Sequence, residues 1–282
     1  MAVKKRPIPK PPKVVSTRPP AAPKANTMVP TKNFKIESGE RPGNGKGIVI
    51  HADSGMGKTT LASLAPLPAF IGLDNGGVGI ETYHRVDGVD TFLDVRSALQ
   101  APIYDNYKTI VVDTVTLLEE LGERHVLDTI PTDSGNQAKN LVHYGWNNGY
   151  RHLYDTMKLV LQDCDALIHK GKNVILIAQS TPHNVPNPGG ADFIRQGPRL
   201  MSRKNADIEA LYCEWADHIF YIGYQFLSVD KKKKVSGDGK RAVFVHPEPH
   251  FRAKSRTLGL DRAVVSFADP ADDSIWRFLF GK

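Results

Sequence analysis

Gly47-Ile48-Val49-Ile50-His51-Ala52-Asp53-Ser54-Gly55-Met56-Gly57-Lys58-Thr59-Thr60 is the stretch from which the rest of the chain can be read. Its first five residues are mostly apolar on both faces and too short for a helix, the pattern of a buried parallel strand. A glycine-containing loop follows, and then a helix-like run from Lys58 to Ala65 that stops at Pro66. Strand, loop and helix in that order fit the relaxed phosphate-loop pattern, with Ala52 where the first glycine usually stands. Gly55 and Gly57 allow the backbone to curl so that successive N–H groups face a phosphate, and the helix N-terminus adds positive partial charge. Asp53, Ser54, Gly55, Met56, Gly57, Lys58, Thr59 and Thr60 are therefore the expected ATP-binding segment. Lys58 is placed to reach the β- and γ-phosphates, and Thr59 to give its hydroxyl to a Mg²⁺ ion.

Outward from this loop, the sequence should supply the remaining parts of a nucleotide site at the ends of neighbouring strands. Thr109-Ile110-Val111-Val112-Asp113 is a second buried-strand pattern, and Asp113 at its end is the candidate second metal ligand. An Asp there also suits a helix N-cap, since the stretch from Thr114 to Asp128 reads as helical. Asp74 closes the strand-like run Ala69 to Leu73; it is a candidate for orienting the attacking water, or simply part of an Asp-Asn-Gly-Gly turn. Gln179 ends the strand-like run Asn173 to Ala178, where it can sense a γ-phosphate or bond to solvent. Leu153, Met157, Val160, Leu161, Cys164, Leu167 and Ile168 mark a long amphipathic helix ended near Gly171. Apolar strands alternating with helices predict an α/β fold around a mainly parallel sheet flanked by helices. After residue 205, a helix over 206–215 leads to aromatic-rich strands near 219–229 and 242–245, joined by KKKKVSGDGK as a hairpin with a basic tip.

Composition sets the outer limits. The 282 residues are 40% apolar and 24% charged, ordinary for one globular α/β unit. The net charge of +7 is uneven: Lys4, Lys5, Arg6, Lys10, Lys13, Arg18, Lys24 and Lys32 face no acid before residue 33, which leaves 29 basic against 30 acidic residues beyond it. That basic, Pro-rich stretch, residues 1–35, reads as a disordered tail before a single domain over 36–282. It is either an electrostatic arm for a polyanion or a solubilising extension. Cys164 and Cys213 stand far apart without a CxxC pair, so neither a disulfide framework nor a zinc site is expected. No apolar run approaches the roughly 20 residues that span a bilayer, and no apolar h-region follows the first basic residues. The expectation is a cytoplasmic protein without a membrane partner.

Taken together, the phosphate loop with TTLASLAP, FIGLDNGG, YKTIVVDTVTLLEE, His143-Tyr144-Gly145-Trp146, NVILIAQS and Arg252-Ala253-Lys254-Ser255-Arg256 resemble the RecA-like phage nucleotide-binding proteins that act as single-strand annealing recombinases. The resemblance covers about residues 44–258. It implies a RecA-like P-loop NTPase core, a ring or filament of identical subunits, and Mg·ATP as an assembly switch. It places Asp74 where such enzymes put a catalytic carboxylate, usually Glu, so the shorter side chain implies slow hydrolysis. It puts Gln179 at the residue that links the γ-phosphate to a DNA-binding loop. It also implies that Lys254 and Arg256 complete the ATP site of the adjacent subunit, the other reading of that pair being a solvated basic patch.

Contacts to single-stranded DNA are expected from two segments. Residues 180–204 form an unusually long Pro- and Gly-rich connection read as a functional loop, carrying Phe193, Arg195, Arg199, Arg203 and Lys204. Residues 131–149 carry Tyr144 and Trp146, which either stack on bases or pack against the sheet. The basic tail is a further candidate contact for a single-strand-binding protein. Two other classes compete with a recombinase: a hexameric helicase-type motor, which lacks a recognisable extra helicase domain here, and a small-molecule kinase with 180–204 as its lid.

Overall fold

The computed structural model describes residues 45–229 and 235–281. The tail expected over 1–35 and the lysine-rich tip at 230–234 lie outside the described residues.

The chain runs β1 (Gly47–Ala52), α1 (Lys58–Ser63), β2 (Pro68–Gly72), α2 (Phe92–Gln100), β3 (Thr109–Asp113), α3 (Val115–Thr129), α4 (Asn148–His169), β4 (Asn173–Val185) and β5 (Phe193–Pro198). It continues through α5 (Ile208–Trp215), β6 (His218–Tyr224), β7 (Leu227–Val229), β8 (Val235–Gly237), β9 (Arg241–Phe244), β10 (Lys254–Ser255), β11 (Val264–Ser266) and α6 (Ser274–Phe280). The principal sheet has the order β11-β9-β6-β1-β4-β3-β2. β6, β1, β4, β3 and β2 are mutually parallel, while β9 and β10 add to the outer edge of β6 antiparallel. β4 is inserted between the phosphate-loop strand β1 and the Asp113 strand β3. This is the α/β core, a mainly parallel sheet flanked by helices, that the sequence predicts.

Every residue of β1, β2 and β3 is buried, because helices cover both faces of the sheet. Strand alternation divides the core in two. Val49, Val112, Leu176 and Ala178 point to the face covered by α2 to α5, where Leu153, Met157, Val160 and Cys164 of α4 meet them. Ile48, Ile50, Val111, Ile175 and Ile177 point to the other face, against Leu61 of α1 and Ile275, Trp276 and Leu279 of α6. Both cysteines are free and buried, so Cys164 serves as packing. No helix among the described residues is long and apolar enough to cross a membrane.

Three expectations change. The connection over 180–204 is not a structureless loop: β4 continues to Val185 and β5 returns antiparallel, pairing from Ser180↔Pro198 to Val185↔Phe193. The prolines that suggest a loop are tolerated because this ribbon projects beyond the main sheet, where a missing N–H faces no interior partner. The run over 219–229 divides, with β6 pairing β9 while β7 leaves the sheet to pair β8. α2 has no counterpart in the sequence reading, although Thr91 and Asp94 form a reciprocal capping box that signals its start.

Candidate functional site

The loop after β1 turns at Gly55 and Gly57, whose φ values of 77° and 90° suit glycine and no larger residue. Gly57 is the N-cap of α1, so Lys58 and Thr59 begin the helix with their side chains at the end of the parallel strands. Lys58 is only 7% exposed, and its ammonium donates to Ala52 O at 3.1 Å, Asp53 O at 2.9 Å and Gln179 Oε1 at 2.9 Å. Burial lowers its pKa, and the carboxylates of Asp113, Asp53 and Asp74 work against that shift.

Thr59 Oγ1 donates to Asp113 Oδ2 at 2.7 Å. Asp113 is 1% exposed, and burial pushes its carboxyl pKa up to about 6, a shift that the Thr59 hydroxyl and Lys58 oppose and Asp74 increases. Asp74 Oδ1 accepts from Gly76 N at 2.8 Å, so the expected turn is present. The turn nevertheless brings Asp74 to the site: a methyl group built on Gly76 would meet Asp74 Oδ1 at 3.0 Å, Thr59 Oγ1 at 3.3 Å and Asp113 Oδ2 at 3.8 Å. A cavity of about 340 Å³ is lined by Ser54, Gly55, Gly57, Lys58, Thr59, Thr60, Asp74, Gly76, Asp113, Thr114 and Gln179.

A Mg·nucleotide fits these residues. A phosphate oxygen can replace Gln179 Oε1 as an acceptor for Lys58, and the Thr59 hydroxyl with the Asp113 carboxylate forms a hard oxygen pair suited to Mg²⁺. Burial and the nearby Asp74 carboxylate both work against an ionised Asp113, and a divalent cation would relieve that pressure. Two members of the expected binding segment stand apart from the cavity wall: Asp53 is exposed, and the Met56 side chain packs into the core below α1.

The remaining expected residues lie in separate places. Lys254 caps the C-terminal end of α5, donating to Cys213 O at 3.0 Å and Glu214 O at 3.1 Å as well as to Ala216 O at 2.5 Å. Arg256 pairs with Asp217 at 2.7 Å. β10 aligns with His218 and Ile219, which lie beside the first half of β1, away from the end that carries the phosphate loop. Within one chain these two cations do not line the Lys58 cavity.

Phe193 and Arg195 of β5 face the segment 247–254. The Arg195 guanidinium lies 5.3 Å from the Phe193 ring centre, and its Nε donates to Pro249 O at 3.2 Å. Tyr144 is 6% exposed, with its hydroxyl donating to Val126 O and Ile130 O, so packing, not base stacking, is its role. Trp146 is the opposite case: it is 96% exposed, displayed by a turn in which Trp146 and Asn147 have φ of 46° and 64°. Arg203 and Lys204 join it in lining a groove of about 460 Å³, where the Arg203 guanidinium stacks 3.9 Å from the Tyr150 ring centre. Arg199 is exposed, and its backbone N–H donates to Gln179 O at 2.6 Å.

The structure adds residues that local sequence does not reveal. Thr116 Oγ1 accepts from Gln179 N at 3.1 Å and donates to Arg199 O at 3.3 Å, stitching β4 to the start of the 199–206 segment. Arg241 donates to Met56 O at 3.1 Å from beneath the phosphate loop and sits 4.9 Å from the Phe267 ring centre. A threonine shortly after Asp113 is a weak signal for the first; nothing near Arg241 in the sequence marks the second.

A family model described as an AAA domain matches residues 44–257. Similar solved structures include a KaiC-like protein from the hyperthermophilic archaeon Pyrococcus horikoshii OT3, at 14% identity over 79% of this chain and 90% of that one, with a TM-score of 0.40. The flagellar accessory protein FlaH from Methanocaldococcus jannaschii is 10% identical over 79% of this chain and 85% of that one, with a TM-score of 0.36. No curated protein matches the chain.

Proposed function

The chain belongs to the AAA domain family, and on that premise we propose that it is a Mg²⁺-dependent ATPase that binds single-stranded DNA as an oligomer and promotes strand annealing. The observation that carries the nucleotide half is the convergence of Lys58, Thr59, Asp74, Asp113 and Gln179 on one small cavity.

In this reading the backbone N–H groups of Gly55 to Thr59 and the Lys58 ammonium hold the phosphates. Thr59 and Asp113 hold Mg²⁺, which when bound supplies neutralising charge to the phosphate oxygens. Asp74 orients the attacking water through a carboxylate one methylene shorter than Glu, which is the reason for slow turnover. As the γ-phosphate accepts the Lys58 hydrogen bond that Gln179 Oε1 accepts in the structure, Gln179 turns its amide N–H to the phosphate. On assembly Lys254 and Arg256 would leave the α5 carbonyls and Asp217 that hold them within one chain and reach the neighbouring subunit's nucleotide, which makes hydrolysis depend on assembly.

The DNA half is supported by the groove of Trp146, Tyr150, Arg151, Arg203 and Lys204. An exposed indole gives a stacking platform, and the adjacent cations follow a phosphate backbone. The test is a titration of fluorescent single- and double-stranded oligonucleotides with and without Mg·ATP, with mass photometry on the same samples. Single-strand preference together with higher-order assembly is the expected result. A monomer that binds neither strand would overturn the DNA reading, and phosphate transfer to a small acceptor would replace it with a kinase.

A further inference from the structure

His51 is a histidine inside the fully buried strand β1, one residue before the phosphate loop begins. Burial pushes its pKa down to about 4, so the ring is neutral at ordinary pH. Its two nitrogens reach different elements: Nδ1 lies 2.8 Å from Ser180 Oγ, and Nε2 lies 2.8 Å from Arg252 O. A carbonyl can only accept, so Nε2 carries the proton and donates to Arg252 O. Nδ1 is then the acceptor for the Ser180 hydroxyl. One tautomer therefore satisfies both bonds, and the ring is a rigid strut between them.

The two ends of this strut matter. Ser180 follows Gln179, the acceptor for Lys58 in the nucleotide cavity. Arg252 begins the segment that carries Lys254 and Arg256. Arg252 is itself anchored, its Nε 2.7 Å from Oε1 of Glu209, a carboxylate 1% exposed at the start of α5. The backbone N–H of Arg252 donates to Gln196 O of β5 at 2.8 Å. Beside it, a cleft of about 700 Å³ lined by Arg252, Ala253 and Lys254 leaves the segment room to shift. Packing on the other side is tight, with Tyr221 5.1 Å from the His51 ring and stacked on Phe251 at 4.7 Å.

We infer that His51 is a positioning residue that transmits nucleotide occupancy from Gln179, through Ser180, to the 252–256 segment bearing Lys254 and Arg256. The inference rests on the ATP-binding reading. When a phosphate displaces Gln179 from Lys58, Ser180 moves with the same stretch of β4. The His51 ring then moves the Arg252 carbonyl, and the segment behind it follows. One subunit's nucleotide state thereby sets the cations that it presents to the next.

The test is hydrogen exchange by mass spectrometry on the full chain, with and without a non-hydrolysable ATP analogue and Mg²⁺. In the wild type, analogue binding slows exchange at 53–60 and changes it at both 180–206 and 250–257. Ser180→Ala removes one bond of the strut; it keeps the first two responses and loses the third. His51→Gln retains a donor and an acceptor and restores the third response relative to His51→Leu. A response at 250–257 that survives Ser180→Ala unchanged, or that is absent from the wild type while 53–60 responds, overturns the inference. No response at 53–60 in the wild type overturns the ATP reading itself, and this inference with it.

Discussion

Lys58 Nζ donates to Gln179 Oε1 at 2.9 Å across 121 residues of sequence, and two backbone carbonyls accept its other hydrogen bonds. A bound phosphate must therefore compete with a neutral amide for a buried ammonium, which favours the charged acceptor by about 1 kcal/mol or more. Gln179→Ala is expected to leave Mg·ATP affinity within a few-fold of wild type, because the competitor is lost along with the contact. Turnover should fall about tenfold or more, as when a group acting on the transition state is removed. Equilibrium nucleotide binding and steady-state phosphate release measure the two separately, and equal loss in both would remove the sensor role.

Trp146 illustrates a conflict between stability and exposure. A non-glycine residue at φ 46° is strained. Trp146→Gly should therefore stabilise the fold by up to about 1 kcal/mol, as relief of a left-handed conformation does. The same change should weaken single-strand binding by about 1–3 kcal/mol through lost stacking. Denaturant melts and oligonucleotide titrations on one variant check both signs, and unchanged binding would assign the indole to another partner.

Arg203 stands next to the indole on the same groove, over the Tyr150 ring. Arg203→Ala is expected to lower the salt dependence of single-strand binding by about one phosphate contact, a log–log slope change of about 0.7. A slope that does not move would place the backbone contact elsewhere.

α2 is held to α4 by a polar contact at the edge of the core: Arg96 Nε bonds Asp163 Oδ2 at 2.6 Å, and Gln100 donates to Asp163 Oδ1 at 2.8 Å. The Asp163 side chain is 9% exposed. Removing its cation leaves a buried charge that one amide cannot compensate. Arg96→Ala should destabilise by about 3 kcal/mol, against a much smaller loss for the exposed Arg151–Asp155 pair. Urea unfolding of Arg96→Ala and Arg151→Ala in parallel is the measurement.

His218 gives a pH signature. Burial lowers its pKa from 6.5 to about 4, so the fold favours the neutral ring. Its contribution is complete above pH 6.5 and is lost as pH falls toward 4, where the unfolded chain gains a proton that the fold resists. Burial raises Asp113 and Glu119 in the opposite sense, so the signature is the difference between wild type and His218→Gln. From pH 7 to 5 the wild type should lose about 2 kcal/mol more than the variant. Parallel loss in the two proteins would mean that the ring is protonated in the fold.

Much of the core was legible in advance. The strands over 47–52, 109–113 and 173–178 are buried on both faces, so their sequences are mostly apolar runs, with polar residues at their ends and His51 the one polar side chain inside. Asp113 and Gln179 sit at those ends, and strand ends gather at one edge of a parallel sheet. α2 was missed because its core contacts, Phe92, Val95, Ala98 and Leu99, are interleaved with charges and follow a turn-rich stretch. The β4–β5 ribbon was missed because its prolines signal a break wherever the strand's partner is unknown.

Neighbouring residues alone specify the local parts: a phosphate loop whose glycines are needed by its own backbone, buried strands, and a basic, proline-rich first segment. These depend on residues within a few positions of one another, where steric and hydrophobic periodicity operate. It takes the folded chain to show that Gln179 meets Lys58, that Lys254 caps its own α5, that Tyr144 is core while Trp146 is exposed, and that His51 spans Ser180 and Arg252. Each of these is a contact between segments distant in the chain, or a side-chain direction set by such contacts. Strand order and packing fix them, and no local pattern records either.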